Sequence, residues 1–409
     1  MARLIVSILM IAALFTNPGF SAALTDSLKA GKLDLKSAAQ LAFGPEGILF
    51  ICDSRQAAIF AVATEDVARP TAPVRIEIKA VNEKIAAMFG VAANQLLIND
   101  VKVNPLSKKI YIAVSRGRGA DGVPVILVLD GTGKFTELSL NNVKHSMTSL
   151  PDVPEVKPDA SVRFPEGMSN ANLRVRSISD LSYVDGKVLV SGMSNEDFAS
   201  DLRSIPFPFK PAAEKSTGIR VWHSAHGRYE TAAPVDKFIP YTIDNKQYIL
   251  ASYACTPLVK IPMDALTPGA KVTGTTIAEI GHHNTPLEMF SYRKDGHEYL
   301  LMAGSTRGVI KVLADKFGTA VPLTPPTAAC EASHDGNRVP GCNVDFGGVP
   351  YVTIPSLKGV WQMEKIDDTH ALILADTAGA ATAKLVDGHA SWFTLDPNVT
   401  LDLKTVPLP

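Results

Sequence analysis

Short apolar runs, paired across tight turns and followed by polar loops, recur six times along the chain. In each unit an apolar residue follows the first position, and a turn rich in Gly, Pro, Asn or Asp separates the two runs. Apolar runs joined by such turns are typical of β-hairpins, so the repeat predicts six similar antiparallel units. The six units begin at Gln40, Asp100, Asp180, Pro240, Glu288 and Gln362.

The second run of each unit is almost entirely apolar, and a third run follows most of them. The second runs read ILFI, IYIAV, VLVSG, YILAS, YLLMAG and ALILA. Strands buried on both faces have this composition, as they do in blades packed between neighbouring blades. Fourth runs such as RIEIKAV, KFTELSL and SWFTLDP complete each sheet. The pattern predicts an all-β fold: a six-bladed β-propeller of four-stranded antiparallel blades, with long loops at 145–176, 193–216 and 322–358 on the channel-mouth face.

The amino-terminal segment reads MARLIVSILMIAALFTNPGFSAA, with Arg3 before an apolar stretch and small residues at its end. The apolar stretch has about twelve residues, whereas a membrane-spanning helix needs about twenty. We therefore expect residues 1–23 to be a cleaved signal peptide rather than a membrane anchor. One propeller domain over 24–409 then follows, in a protein that is extracytoplasmic, either periplasmic or secreted.

The charge balance argues against two classes of partner. The 40 Lys and Arg residues nearly equal the 41 Asp and Glu residues, giving a formal net charge of −1. Because nucleic acid and anionic membranes attract basic surfaces, neither is expected as a partner. The chain also lacks a Gly-rich phosphate loop, a G-x-S-x-G elbow, a Cys-x-x-Cys pair and a His-Glu-x-x-His helix.

The stretch GPEGILFICDSRQAAIFAV, which starts at Gly44, resembles an NHL-type unit, in which a Gly-rich turn joins two apolar strands and an Asp-Ser pair follows. Over nearly the whole mature chain the architecture is similar to the six-bladed superfamily of NHL-repeat, YVTN-like and SMP-30/gluconolactonase-like propellers. The resemblance implies the fold. The SMP-30-like members hold a divalent metal at the channel mouth with acidic and amide side chains, and use it to hydrolyse a lactone or ester.

In a propeller the first strand of each blade lines the central channel, so equivalent positions form a ring. Three arginines fall at matching places in loops that return to the same face. Carboxylates, amides and arginines thus converge on one mouth, where a ligand site is expected. The predicted ligand-binding residues are Gln40, Arg55, Asp100, Arg116, Asp180, Glu288, Arg307 and Gln362, and Pro240 is the sixth member of the ring.

Three carboxylates close together require a compensating cation. One candidate is a divalent metal such as Ca²⁺, held by Asp100, Asp180 and Glu288 and helped by amide oxygens, including that of Asn99. Another is the set of arginines, which could pair with the carboxylates and do nothing more than lock the blades together. The third interpretation is a mouth that binds a polar ligand directly.

Four cysteines enter an oxidising compartment. Cys330 and Cys342 flank a short polar loop and are predicted to form a disulfide, worth about 3 kcal/mol in the chain-entropy model. Cys52 and Cys255 end the second strands of units one and four. In sequential order those blades lie opposite each other, so two buried free thiols are expected.

Histidines offer two further candidates. His282 and His283 precede Glu288 on the mouth side, where an imidazole could be a general base or metal ligand, or simply part of a solvated loop. His223 and His226 are expected at the turn between strands three and four, on the opposite face, and are not expected to bind metal.

Three functions remain open from the sequence. The first is a binding or interaction protein with a polar site for a small molecule, glycan or protein partner. The second is a metal-dependent hydrolase of lactonase or esterase type. The third is a structural scaffold of a cell-envelope assembly.

Overall fold

The predicted hairpins form the inner strands of six sheets in the computed structural model. It describes residues 23–118, 122–155, 173–224, 227–255, 257–281, 284–324, 347–377, 383–384, 394–395 and 398–409. The signal peptide (1–23, all but its last residue), the Cys330–Cys342 disulfide and His226, His282 and His283 lie outside the described residues.

The first third of the chain starts one blade, builds a second and then returns to the first. The strands are β1 (Lys29–Gly31), β2 (Leu41–Phe43), β3 (Ile48–Asp53), β4 (Ala58–Ala63) and β5 (Glu77–Ile78). Helix α1 (Val81–Phe89) follows, and then β6 (Leu96–Val103), β7 (Ile110–Arg116), β8 (Val123–Leu129), β9 (Phe135–Glu137) and β10 (Val143–Ser149).

The middle third supplies two blades. Its strands are β11 (Asp180–Val184), β12 (Lys187–Met193), β13 (Ser200–Pro206), β14 (Thr217–His223), β15 (Arg228–Glu230), β16 (Lys237–Ile243), β17 (Lys246–Ser252), β18 (Pro257–Pro262), β19 (Lys271–Thr273) and β20 (Thr275–Glu279).

The last third supplies the remaining two blades. Its strands are β21 (Pro286–Lys294), β22 (His297–Gly304), β23 (Gly308–Leu313), β24 (Gly347–Gly348), β25 (Tyr351–Thr353), β26 (Val360–Lys365), β27 (His370–Asp376), β28 (Ala383–Lys384), β29 (Thr394–Leu395) and β30 (Leu401–Pro407). Single 3-10 turns lie at Leu24–Ser27, Pro45–Gly47, Ala93–Gln95, Leu173–Arg176, Met263–Ala265 and Ala314–Lys316.

These strands make the predicted six-bladed, all-β propeller, whose blades are mostly four-stranded antiparallel sheets. Numbered by their first strands, the blades run outward from the axis. They are blade 1 (β2-β3-β4-β10-β1), blade 2 (β6-β7-β8-β9), blade 3 (β11-β12-β13-β14-β15, with β19 beside β14), blade 4 (β16-β17-β18-β20-β24), blade 5 (β21-β22-β23-β25) and blade 6 (β26-β27-β30-β5).

The inner hairpins close as their turn residues predict. Asp185 and Gly186 have φ values of 46° and 78°, and Asp244 and Asn245 have 48° and 61°. Positive φ at both central residues defines the type I′ turn, whose twist matches that of the strands it joins. The registers Val184↔Lys187 and Ile243↔Lys246 follow from these two-residue turns.

The blades do not follow one another around the axis in chain order. The sequence alone predicts sequential order. The inner strand of blade 1 packs between those of blades 2 and 3, and blade 6 packs between blades 5 and 2. The ring order is therefore 2-1-3-4-5-6. Six apolar clusters, one at each interface between adjacent blades, form the core and follow this order.

The chain path explains this order. After β4 the chain crosses to blade 6, builds blade 2, and only then returns with β10 to complete blade 1. The run RIEIKAV therefore supplies β5 of blade 6, where Leu403 pairs with Ile78. Its predicted place as the fourth strand of blade 1 is wrong. The amino-terminal part of the chain thus closes the ring through β5, beside the carboxy-terminal strand β30.

The three predicted long loops contain strands. Segment 145–176 begins with most of β10, segment 193–216 contains β13, and segment 322–358 contains β24 and β25. Consequently GIRVWHS is the fourth strand of blade 3 rather than the third, and SWFTLDP contributes β29, which pairs with β28 instead of completing blade 6. Within the described residues no helix is long and apolar enough to cross a membrane.

Candidate functional site

Asp180 begins the first strand of blade 3 and Asp100 lies in the middle of the first strand of blade 2, and each reaches an adjacent blade. Asp100 is fully buried, and its Oδ2 accepts a hydrogen bond of 2.7 Å from the backbone N–H of Leu41 in blade 1. Asp180 Oδ2 accepts one of 3.0 Å from the backbone N–H of Phe238 in blade 4. The two carboxylates therefore tie first strands together around the channel.

Two lysines, rather than the predicted arginines, lie between the carboxylates and compensate their charge. Lys237 Nζ lies 2.9 Å from Gln40 Oε1, 3.4 Å from Asp180 Oδ1 and 3.8 Å from Glu288 Oε2. Lys237 and these three partners come from blades 4, 1, 3 and 5, so the Lys237 ammonium group connects four blades across the channel.

The ammonium group of Lys102 connects blades 2, 5 and 6 in the same way. Lys102 Nζ lies 3.0 Å from Glu288 Oε2, 3.2 Å from Glu364 Oε2 and 3.9 Å from Asp100 Oδ1. Glu288 therefore bridges both lysines. We call Asp100, Lys102, Asp180, Lys237, Glu288 and Glu364 the channel cluster; with Gln40 it draws on every blade.

The channel cluster contains more carboxylates than ammonium groups. Burial alone would raise the pKa of Glu288, but Lys102 and Lys237 hold it below its usual value. Burial raises the pKa of Asp180 to about 6 and that of Glu364 to about 7. Four carboxylates face two ammonium groups, so a proton on one carboxylate reduces the imbalance near neutral pH.

The predicted ring was right in five positions and shifted in one. In blade 4 the position equivalent to Asp180 is Lys237, because Asp180 pairs with Ser191 and Lys237 pairs with Ser252 at the ends of the second strands. Pro240 lies three residues further along β16. Counting from the turn misplaced it for two reasons. β16 is two residues longer than β11, and Pro240 lies four residues before the turn residue Asp244, whereas Asp180 lies five before Asp185.

Two other members of the channel cluster were missed. Lys102 and Glu364 each lie two residues beyond a ring position, Asp100 and Gln362. Side chains alternate along a strand, so residues two apart share a face. Counting two residues on from each ring position would therefore have identified Lys102 and Glu364 from the sequence.

Gln362, the remaining predicted ring residue, and its neighbour Asn99 are also bonded between blades at this end. Gln362 Nε2 donates to the backbone oxygen of Asn99 at 2.9 Å, and Asn99 Nδ2 donates to the backbone oxygen of Ala38 at 2.8 Å. These bonds link blade 6 to blade 2 and blade 2 to blade 1. The amides of Gln362 and Asn99 are thus engaged between blades.

The structure does not bear out Asp100, Asp180 and Glu288 as metal ligands. Ammonium groups stand between these carboxylates, in the place that a cation was predicted to fill. In the described part of the chain, no group of three or more His, Cys, Asp or Glu residues is arranged to hold a metal ion.

The three predicted arginines do not join the channel cluster. Arg55 donates to the backbone oxygens of Lys36 and Gly122, and the Arg116 guanidinium lies 5.7 Å from the centre of the Phe89 ring. The Arg307 guanidinium packs against the backbone of Gly281. Within the described residues every ion pair of the three ring carboxylates is to a lysine, so the predicted arginine pairing is wrong. Ligand binding by these arginines stays a prediction.

Gly281 explains the position of Arg307. Its φ is 124°, and a Cβ atom there would lie 2.6–2.8 Å from the guanidinium atoms. Only glycine allows both that backbone conformation and so close an approach. Arg307 is thereby held at the loop that leads from blade 4 to blade 5.

Cys52 and Cys255 are both free thiols, as expected. Burial raises the pKa of Cys52 to about 12, which leaves it a structural thiol. Cys255 is partly exposed rather than buried. The argument from opposite blades was wrong, because blade 3 alone separates blades 1 and 4 in the ring.

His223 lies on the mouth side, not on the opposite face, because β14 is the fourth strand of its blade and ends there. Its Nδ1 is 2.8 Å from Glu230 Oε2, and its Nε2 is 3.9 Å from Glu279 Oε2. Glu279 ends β20, the fourth strand of blade 4, and its Oε1 accepts the backbone N–H of Ser224 at 2.7 Å. These contacts join blades 3 and 4 at their outer strands.

A cavity opens at the other end of the first strands, and we call it the lower cavity. Its volume is about 530 Å³, and it lies where the first strands of blades 3, 4 and 5 end. The side chains that matter chemically are those of Tyr241, Asp244, Asn245, Gln247, Arg293 and Glu298. The site predicted from the sequence lies at the end where these strands begin, and the lower cavity was therefore not predicted.

Glu298 is the best-connected group of the lower cavity. Burial together with the nearby Glu298 carboxylate raises the pKa of Tyr241. Arg293 Nη2 lies 3.7 Å from Glu298 Oε2, with 84% of the Arg293 side chain exposed. An aromatic ring, a carboxylate and a guanidinium thus face one open space.

The fold is similar to solved propellers of low identity. The PQQ-bound aldose sugar dehydrogenase of Streptomyces coelicolor has a TM-score of 0.30 and 11% identity, covering 93% of this chain and 97% of that chain. The WD40 β-propeller domain of Doa1 has 0.30 and 8%, covering 92% and 95%. A putative oxidoreductase (glucose dehydrogenase) of Thermus thermophilus has 0.28 and 11%, covering 93% and 100%.

No family model matches the chain, and no curated protein matches it either. The class of the molecule, a six-bladed β-propeller, therefore rests on its own strands and their pairing. At these TM-scores the solved structures carry no argument about what this chain binds or catalyses.

Proposed function

We propose that the protein is an extracytoplasmic binding propeller that takes a small, hydroxyl-rich molecule into the lower cavity. The single observation that carries the proposal is the cavity itself, about 530 Å³ and lined by convergent polar groups. Sites for small molecules commonly have volumes of about 300–1,000 Å³ and a few placed polar groups. The expected export signal at 1–23 puts the site outside the cytoplasm.

The lining favours an uncharged polyol such as a sugar. Asp244 and Glu298 accept hydrogen bonds, Arg293 donates them, and Asn245 and Gln247 do both. A sugar presents alternating donors and acceptors to such a set, and its C–H face can lie on the Tyr241 ring. Two carboxylates against one guanidinium disfavour an anionic ligand.

The experiment is a calorimetric titration of the full protein with glucose, galactose, maltose and N-acetylglucosamine. We expect saturable binding of at least one sugar, lost in Tyr241→Ala and in Glu298→Gln. Tyr229→Ala is the matched control, because Tyr229 is 45% exposed on blade 3 and does not line the lower cavity. Absence of binding, or binding that survives both cavity substitutions, would refute the proposal.

The bonding between blades at the mouth favours a second candidate, the structural scaffold. The predicted mouth carboxylates are already hydrogen-bonded and ion-paired between blades, which is what rigidity requires. A scaffold needs no small-molecule site, so the same titration separates the two functions. No observation of the described residues favours the metal-dependent hydrolase.

A further inference from the structure

A second, smaller cavity lies between the outer strands of blades 1 and 3, and none of its walls belongs to a first strand. Its volume is about 70 Å³. At about 10–15 Å³ for each water-sized site, this is room for roughly five to seven small non-hydrogen atoms. Thr148 of β10, Arg203 and Ile205 of β13, and Leu266 and Pro268 beyond β18 contribute to its lining.

Two buried hydrogen-bond donors line this cavity without a partner. The Thr148 hydroxyl and the Arg203 Nε have no hydrogen-bond partner among the described residues, and the two residues are 0% and 2% exposed. Buried donors in native proteins are nearly always satisfied, so an unsatisfied pair at a cavity wall indicates an acceptor that belongs there.

The guanidinium cannot turn away from the cavity to find another partner. Arg203 Nη1 donates to Asp152 Oδ1 at 2.7 Å, and Arg203 Nη2 donates to Asp201 Oδ2 at 2.8 Å. Asp152 is itself held by the backbone N–H and the hydroxyl of Ser216, at 3.1 and 2.8 Å. A planar group fixed at both terminal nitrogens presents its Nε–H in one direction.

The surroundings select the kind of acceptor. Asp152 and Asp201 together outweigh the charge of Arg203, and burial raises the pKa of Asp201 to about 6. Because these two carboxylates already neutralise the guanidinium, its Nε–H is suited to a neutral carbonyl oxygen. Ile205, Leu266 and Pro268 form the apolar walls. Lys210, Glu214 and Lys215 also line the cavity, and the Lys215 ammonium group is paired with Glu196 Oε1 at 2.9 Å.

We propose that this cavity binds a small neutral carbonyl compound, an amide or acyl group with a short branched apolar end. The carbonyl oxygen accepts from the Thr148 hydroxyl and from Arg203 Nε–H, and the apolar end packs on Ile205 and Leu266. The site is independent of the lower cavity and of any sugar bound there.

The test is a titration of the full protein with isobutyramide, followed by protein-observed NMR, with isobutyrate as the charged isostere. We expect saturable binding of isobutyramide with a dissociation constant of about 1 mM, as suits six non-hydrogen atoms. Isobutyrate should bind at least about tenfold more weakly. Failure of isobutyramide to bind, or equal affinity for isobutyrate, would overturn the proposal.

Two threonine variants of the same cavity separate binding from packing. Thr148→Val keeps the shape and removes the unsatisfied hydroxyl, so the affinity for isobutyramide should fall about tenfold. Thr217→Val is the matched control, because Thr217 lines the cavity but its hydroxyl already donates to the Thr267 backbone oxygen at 2.7 Å. Affinity unchanged in Thr148→Val, or reduced equally in both variants, would show that the hydroxyl does not hold the ligand.

Discussion

The two ends of the central channel are built from the same six strands and have opposite character. At the end where the first strands begin, carboxylates and lysines are buried and bonded to one another across blades. At the end where they finish, an aromatic ring, carboxylates, amides and a guanidinium surround an open cavity of about 530 Å³. Charged residues on channel-lining strands therefore do not by themselves mark a binding site.

The difference lies in how the polar groups are satisfied. Lys237 has three oxygen neighbours within 3.8 Å, and only 8% of its side chain is exposed. Arg293 has one carboxylate oxygen at 3.7 Å, and 84% of its side chain is exposed. A group that is already paired stabilises the ring, whereas an exposed group has capacity left for a ligand.

The largest expected effect comes from removing the central cation. Lys237→Met leaves Asp180 and Glu288 buried without that ammonium group, and breaking a buried ion pair costs about 3–5 kcal/mol. Urea unfolding at pH 7 should show this loss. Lys271→Met is the control, because the ion pair of Lys271 with Asp197 is exposed and worth about 1 kcal/mol or less. Equal losses in the two variants would contradict the description of the channel cluster as a buried ion-pair network.

A double-mutant cycle sharpens the comparison within the channel cluster. Lys102→Met and Glu288→Gln each leave a charge without its partner at 3.0 Å. The double variant should be less destabilised than the sum of the single variants by about 1–3 kcal/mol. Strict additivity would mean that this contact contributes nothing to the ring.

The stability of the folded protein should depend on pH through Glu364. Burial raises its pKa to about 7 in the folded protein, above the value of about 4.3 of an unfolded chain. The folded state therefore holds more protons than the unfolded state between those pH values, and stability falls as pH rises through this range.

Glu364→Gln should remove part of this fall, reducing the loss of unfolding free energy between pH 5 and pH 8 by about 1–2 kcal/mol. Glu298→Gln serves as the control, because its side chain is 27% exposed against 28% for Glu364 but lies at the open end. A Glu364→Gln profile as steep as that of the wild type would argue against the raised pKa.

The smallest effect is expected at the open end. Arg293→Ala removes an exposed side chain with one distant carboxylate neighbour, so the unfolding free energy should change by no more than about 0.5 kcal/mol. The same variant should weaken sugar binding by calorimetry if the lower cavity is the site. A loss of stability as large as that of Lys237→Met would contradict the account of this end.

The sequence was most informative where local chemistry decides structure. Type I′ turns at Asp185-Gly186 and Asp244-Asn245, and the apolar second strands, follow from turn preference and burial. The approach of Asp100, Asp180 and Glu288 to one another followed from the repeat. These are properties of single hairpins and of their repetition around an axis.

The parts that failed depend on distant pairing. Nothing local in RIEIKAV shows that it joins the carboxy-terminal strand of blade 6, and nothing local in β10 shows that it returns to blade 1 after blade 2 is built. Lys237 was missed because β16 is two residues longer than β11, which shifts a register counted from the turn. Tertiary pairing, not propensity, set these positions.

Hydrogen–deuterium exchange resolved to single amides tests the central claim most directly. The backbone N–H groups of Leu41 and Phe238 donate to Asp100 and Asp180 at 2.7 and 3.0 Å, whereas Asn245 lies in an exposed turn. The account predicts that Leu41 and Phe238 exchange only through global unfolding, that Asn245 exchanges rapidly, and that Lys237→Met speeds exchange at the first two amides. Equally fast exchange at all three amides of the wild-type protein would contradict a channel whose polar groups are bonded between blades at one end and open at the other.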